Sequence, residues 1–572
     1  MGDNKLSRRQ FFEKMSVSNE GIRPEHLFIP DTDTQPREAP EMPALDEHLT
    51  LLGGLEPYQG PWTKAQAAHL LRRTTFGLNK AHLDQMLAFG NATAAVDAIL
   101  TVPTTPPDPP INNYSNGMYT DPAVPQGQTW INAPYDVEAE GYRIESWRGW
   151  WLDRMVEGDA NIQEKMTLFW HNHFATQTTS LFVGAPIYRH NQLLRDNILG
   201  NFKDFVKSVT LNPFMLYYLN GYLNNVAAPD ENYARELQEL FTVGKDTPQN
   251  YSEDDVVAAA RVLTGWTVNS NGETVFRPQL HDAGFKVFST FYNNTVITGS
   301  SDGGAELDAL LDMIFQKQEV SLYLSRKLYR YFVYYKIDAD VEANVIEPMA
   351  QIFRDNNYEI LPVVRALLLS EHFFDATNKG CQIKNPLDLV CGIMRNFNLS
   401  LPSPTLYDQY FIRLSINYFC GALQMLPGDP PNVAGWAAYR QVPNYYRVWI
   451  SSDTVRNRNI ITDVTSFIGI DVGPEKLIID HVGFTAQFAN PEDPNALIDD
   501  TLAILYSMPI NPVKKIFLKS ILLSGQLSDF YWTDAWNAHV NNPNDAMAYQ
   551  TVWFRLAQMH SYILKLAEYQ LI

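Results

Sequence analysis

A chain of 572 residues with 64 acidic against 44 basic side chains carries a formal charge of −20, which excludes a nucleic-acid groove, because phosphates need a basic field to meet. The same balance argues against docking on an anionic membrane surface. With 45% hydrophobic and 12% aromatic residues, the chain is expected to fold, leaving disorder to its ends and one Pro-rich loop.

The first 60 residues hold Pro24, Pro30, Pro36, Pro40, Pro43 and Pro57 among acidic side chains, which predicts an extended arm laid over a body. Ser7-Arg8-Arg9-Gln10-Phe11-Phe12 looks like a twin-arginine export motif, but residues 15–23 are polar where a leader needs an apolar stretch. The preferred reading is an exposed basic N-terminal helix, with a degenerate leader as the alternative. Regular structure is expected from Thr63, whose spacing to Gln66 fits a capping box. A second helix should start after Asn79 and stop at Gly90.

Residues 102–110 are a Pro-rich connector, and helical patterning returns from 137 to 174. Trp147, Trp150, Trp151 and Met155 fall on one face of a helix; a sugar-stacking cleft is conceivable there, but a core stripe is the better reading. Further helices are expected at 186–199, 201–209, 229–243 and 252–265, the last with Ser252 and Asp255 at capping-box spacing. Residues 273–276, 286–288 and 295–298 read as short strands around polar turns. Helical periodicity then resumes over 305–397, 405–425, 454–468, 494–506, 512–524 and 545–568. The fold class is therefore all-α (mainly α): a large multi-helix bundle with a small β-hairpin insertion near residues 273–298.

The longest apolar candidate, 322–335, is broken by Arg326, Lys327 and Arg330, so no transmembrane segment is expected. Cys381, Cys391 and Cys420 lack CxxC spacing and read as free thiols. No HExxH, GxSxG, GxxxxGK[ST] or GxGxxG motif occurs.

The polar groups with chemical promise cluster in three places. On helix 229–243, Glu231, Arg235, Glu236 and Glu239 share the face opposite Tyr233, Leu237 and Phe241. The spacing of Glu231, Arg235 and Glu239 lets one guanidinium pair with both carboxylates, so a structural ion network of Arg235, Glu231 and Glu239 is preferred. If that face is buried, its excess of negative charge calls for a cation or a raised pKa, which makes Glu231 and Glu236 catalytic candidates and Glu236 a metal candidate. His173 lies on an apolar stripe with Phe169 and Trp170; a core histidine is the default and metal ligation the alternative. His281 and Asp282 sit near Gly284, where an Asx turn with an exposed histidine competes with a ligand or general base oriented by a carboxylate.

Several ordered strings carry a family likeness: His69-Leu-Leu-Arg-Arg-Thr-Thr-Phe-Gly77, Leu168-Phe-Trp-His-Asn-His-Phe-Ala175, and Asp230-Glu-Asn-Tyr-Ala-Arg-Glu-Leu-Gln-Glu-Leu-Phe-Thr-Val-Gly244. They continue with Ala260-Arg-Val-Leu-Thr-Gly-Trp266, His281-Asp-Ala-Gly-Phe-Lys286, Lys327-Leu-Tyr-Arg-Tyr-Phe-Val333, Lys384-Asn-Pro386 and Pro430-Pro-Asn-Val-Ala-Gly-Trp436. In this order they resemble the bacterial family known as domain of unknown function 1800, over residues 62 to 450 and more weakly beyond. Asp230 departs from the family's usual Asn. The resemblance implies a bacterial, often exported protein, periplasmic or envelope-associated if the leader works and cytoplasmic if it does not. It also implies an exported alkaline-phosphatase-like partner, and no established reaction.

The expected organisation is an N-terminal arm (1–60), a helical family core (61–450) and C-terminal helices packed on that core (451–572). Two functions from different classes follow. One is a non-catalytic envelope or assembly protein acting with an exported hydrolase-like partner. The other is a metal-dependent hydrolase whose divalent metal ion would be held by His173, Glu236 and His281, with Glu231, Glu239 and Asp282 beside it.

Overall fold

Four helices begin at an Asx–Pro pair, at Pro213, Pro386, Pro494 and Pro512. In each, the Asn or Asp side chain accepts from a backbone N–H of the first turn, while proline occupies a position with no N–H to satisfy. Asn79 and Asn91 cap their helices in the same way without the proline. Ser252 and Asp255 form both halves of a capping box. At Thr63 the expected box does not form; the hydroxyl donates to Gln66 Oε1 at 2.5 Å and accepts from Ala65 N, one residue short of Gln66.

These helices make up most of a computed structural model that describes residues 53–245 and 250–572. The twin-arginine-like motif and most of the expected arm lie outside the described residues. The described chain is mainly α-helical, with three two-stranded antiparallel sheets. No described helix is long and apolar enough to cross a membrane. Two hairpins stand where the sequence predicts one near 273–298, the first starting ahead of that region: Trp266–Val268 pairs with Thr274–Phe276, and Lys286–Val287 pairs with Val296–Ile297. A third, Ile470–Val472 with Glu475–Leu477, has too few apolar alternations to be read from sequence.

The helix Ala139–Glu157 is buried on most of its circumference and lies against Leu406–Ala422, Pro386–Asn396 and Gly184–Asp196. Its tryptophans are core: Trp147, Trp150 and Trp151 are all buried, with Trp150 edge-on to Tyr188 and under the Arg195 guanidinium. The charged residues that share this burial are paired. Arg143 bridges Asp121 at 3.0 Å and Glu140 at 2.7 Å, and Asp121 also accepts from Tyr114 Oη at 2.7 Å. All three cysteines are free thiols.

Candidate functional site

The expected helix over 229–243 changes winding part-way. Asn232–Glu236 is α-helical and Leu237–Thr242 is a π-helix, a local widening that often marks functional positions. The wider turn alters the pairing expected from α-helical spacing. Arg235 does meet Glu231 at 2.9 Å, but its second partner is Glu253 of the next helix at 2.7 Å. Glu239, expected on the same guanidinium, pairs with Lys245 at 2.5 Å. The extra backbone between Arg235 and Glu239 rotates the carboxylate off the 100° spacing. Burial, and Glu239 nearby, raise the pKa of Glu236. The face is half-exposed, so its ion pairs are solvent-screened and contribute little to stability.

His173 sits in the aromatic core between Phe169, Trp170 and Phe174. Its Nε2 lies 3.1 Å from the Phe241 carbonyl, and burial pushes its pKa well below the ordinary histidine value. His171 is buried against Trp151 and Trp436, and burial pushes it down to about 3. These are neutral core imidazoles.

Asp282 forms the expected Asx turn, accepting from Gly284 N at 2.8 Å, and also takes Arg261 Nε at 2.6 Å. Arg261 holds its carboxyl below the ordinary range. His281, expected exposed beside that turn, is buried instead. Its Nδ1 is 2.8 Å from the Thr264 carbonyl and its Nε2 is 2.9 Å from Glu306. The carboxylate that orients His281 is thus Glu306, twenty-five residues away in sequence, and not the adjacent Asp282. Glu306 also takes Lys286 Nζ and Ser300 N. His173 is therefore held by the Phe241 carbonyl, and His281 by Thr264 and Glu306. Among the described residues no group of three or more His, Cys, Asp or Glu side chains could hold a metal ion.

The structure brings other residues together. A chamber of about 20 Å³ is lined by Arg73, Lys165, Arg330, Asn385 and Asp388, together with five tyrosines and Trp449. The His69 string supplies Arg73, the Lys327 string supplies Arg330 and Tyr331, and the Lys384 string supplies Asn385. Lys165 projects from Gln163–His173, the helix that carries the Leu168 string. Asp388 is positioned by its helix start: its N–H donates to Asn385 Oδ1 at 2.8 Å while Asn385 Nδ2 donates to its carboxylate at 2.7 Å. A carboxylate in a first helical turn also faces the positive end of the helix.

Asp388 forms an ion pair with Lys165 at a site where both are almost fully buried. Burial lowers the pKa of Lys165, and Asp388 opposes the shift. Lys165 also lines a second cavity of about 240 Å³, with Arg154, Glu164 and Arg395. The remaining cations of this region mostly face carbonyls. Arg72 donates to Ala503 O and Ile504 O, each at 2.9 Å, and Arg395 to Gly77 O, Val156 O and Gly158 O. Arg73 is different. It is 1% exposed, and only its Nη2 is engaged, by Asn378 O at 2.7 Å and Cys381 Sγ at 3.1 Å. Among the described residues its Nε and Nη1 are buried without a hydrogen-bond partner, as is Nε of Arg330.

Arg73, Lys165 and Asp388 escape a sequence reading because each lies in a helix turn that is otherwise largely buried and apolar. The available signal is that exception. Arg73 falls three and four residues after Leu70 and His69, on the buried face of Lys64–Thr74.

Lys384 adjoins the chamber, its ammonium lying 3.4 Å from the centre of the Tyr569 ring. Burial, with Arg72 nearby, pushes its pKa well below the ordinary lysine value. The unfolded chain therefore binds this proton more tightly than the folded one, and stability rises with pH up to about 10.4. Lys384→Met is expected to flatten that rise, measured as the difference between wild-type and variant denaturant midpoints at pH 7 and pH 9.5. A rise of equal slope in both proteins would refute the assignment.

A mainly α-helical scaffold around a buried, cation-rich chamber is the class of protein that this fold and site define. The chain belongs to the family described as protein of unknown function (DUF1800), whose model matches residues 69–571. No curated protein and no solved structure matches it.

Proposed function

We propose that the chain is a non-catalytic binding protein of the cell envelope, which holds a small organic anion in the Arg73 chamber and acts with an exported, hydrolase-like partner. The observation that carries the binding half is Arg73: a fully buried guanidinium with two nitrogens unpartnered has an incomplete hydrogen-bond set, and such groups cost stability until a partner arrives. A second support is that segments carrying the family resemblance meet at this chamber. The partner half, an alkaline-phosphatase-like exported protein, rests on the resemblance alone.

The metal-dependent hydrolase reading has less support. Its candidates Glu231, Glu239, His173, His281 and Asp282 are engaged by Arg235, Lys245, the Phe241 carbonyl, Glu306 and Arg261. Glu236 is left without two further ligands among the described residues.

Thermal unfolding in the presence of acetate, sulfate or phosphate tests the binding half. A ligand at a hundred times its dissociation constant adds roughly 2.7 kcal/mol, so at least one anion should raise the melting temperature in a saturable way. The rise should shrink in Arg330→Gln, which removes a charge at the chamber wall while sparing the fully buried Arg73. No saturable rise with any anion would defeat the reading. Co-expression with an alkaline-phosphatase-like exported protein should give a complex that co-elutes, and separate elution of the two would remove the partner half.

A further inference from the structure

The chamber is too small for most oxyanions and its wall is too aromatic for a bare ion. A volume of about 20 Å³ accommodates one or two water-sized centres. That suits the two oxygens of a carboxylate and not the four of a phosphate. Charge points the same way. Lys165 is already matched by Asp388, so the inner chamber has one cation, Arg73, left to neutralise, and a monoanion does so without excess. Arg330 stands further out, stacked 5.7 Å from the Tyr445 ring with its Nε unpartnered, where it can take a second polar group. In a chain of formal charge −20, this pair of cations is a local exception that would concentrate anions.

Around Arg330 the wall is made of tyrosine faces. Tyr335 lies 5.2 Å from Tyr445 and 5.3 Å from Tyr446, centroid to centroid, at interplanar angles of 38° and 78°. All three rings are partly exposed. Tyrosine faces and hydroxyls together suit a flat body with one apolar side and polar edges.

We infer that the chamber takes the carboxylate of a ring-bearing acid, with Arg73 on the carboxylate and the ring against Tyr335, Tyr445 and Tyr446. This rests on the anion-binding reading above and names the ligand class for the same site. Two sources share the chemistry: a pyranose acid, such as a uronic acid, and an aromatic acid.

Binding is followed by calorimetry and by the change in total tryptophan fluorescence, to which Trp449, lining the chamber, contributes. The probes are glucuronate, benzoate, benzamide, glucose, acetate and inorganic phosphate, each added to the full-length protein. One of the two ring acids is expected to bind at least tenfold more tightly than acetate, phosphate and glucose, and which one it is identifies the source. A Tyr445→Ala/Tyr446→Ala double variant should bring the ring acid down to the acetate level and leave acetate unchanged. Arg330→Gln should weaken the ring acid several-fold with the fold intact by circular dichroism.

Acetate or phosphate binding as tightly as either ring acid would overturn the ligand class and leave the anion-binding reading standing. No response to any anion would overturn both. Glucose binding as tightly as glucuronate, or benzamide as tightly as benzoate, would show that Arg73 is not the recognition element and sink the inference.

Discussion

Replacing Glu306 by Gln is expected to cost about 3–5 kcal/mol of unfolding free energy, the range for a buried ion pair stripped of one partner. Glu306 is 2% exposed and Lys286 0%, so neither charge reaches water. The carboxylate takes His281 Nε2 at 2.9 Å, Ser300 N at 2.5 Å and Lys286 Nζ. In the variant the Lys286 ammonium keeps the Asp282 carbonyl and faces a neutral amide in place of the carboxylate, and a buried charge without a counter-charge is what makes such deletions expensive. Denaturant titration reads the loss as a lowered midpoint.

The control is the double replacement Lys286→Met with Glu306→Leu. Exchanging a whole buried pair for apolar side chains of similar volume is often neutral or better, so the double variant should recover most of the loss despite altering two residues. A double variant as unstable as Glu306→Gln alone would show that the carboxylate acts chiefly through His281 and Ser300. The hairpin Lys286–Val287 with Val296–Ile297 is the element this cluster fastens to the helix Gly303–Phe315, so proteolysis should open there first.

The same cluster shows where sequence reasoning reaches its limit. The strands at 286–288 and 295–298 were legible, because turn residues and short apolar runs signal a hairpin. The Asx turn at Asp282 was legible for a similar local reason. The burial of His281 was not, since it depends on Glu306 arriving from a helix that local patterning cannot dock. Two helix starts were legible for the same local reason: Ser252 with Asp255, and Asn79, each satisfy N–H groups within one turn. The π-helix at Leu237–Thr242 was not, because side-chain periodicity assumes the winding it is used to detect. Its consequence is the exchange of Glu239 from Arg235 to Lys245.

The chamber was hidden for a further reason. Sequence patterning treats a charge as surface, whereas Arg73, Lys165 and Asp388 are all buried. Arg73 lies within a string that carries the family likeness, while Lys165 and Asp388 lie just outside two others, and the groups of those strings that signal acid–base chemistry are histidines and carboxylates. What the fold gathers instead is guanidinium, ammonium and tyrosine.

Asp388→Asn is the second change expected to have a large effect, and it separates structure from binding at this chamber. Lys165 is 3% exposed, and among the described residues its only carboxylate partner is Asp388. Losing that partner should again cost about 3–5 kcal/mol near neutral pH. The pH dependence gives the cause away. Burial already lowers the pKa of Lys165, with Asp388 working against the shift, so removing Asp388 must lower it further. In the variant the unfolded chain then holds more protons than the folded one over a wider window below about 10.4, and stability rises with pH across that window. The deficit should therefore be largest near neutrality and shrink toward pH 9.5, as the folded protein sheds the Lys165 proton.

An added anion offers a second route to the same repair. With Asp388 gone, Arg73 and Lys165 both lack a carboxylate, and a ligand carboxylate in the chamber would neutralise either. Acetate or a ring acid should therefore stabilise Asp388→Asn more than it stabilises the wild type. A loss that depends on neither pH nor anion would assign Asp388 to capping its own helix through Asn385, and would detach the Lys165 pair from the chamber's chemistry.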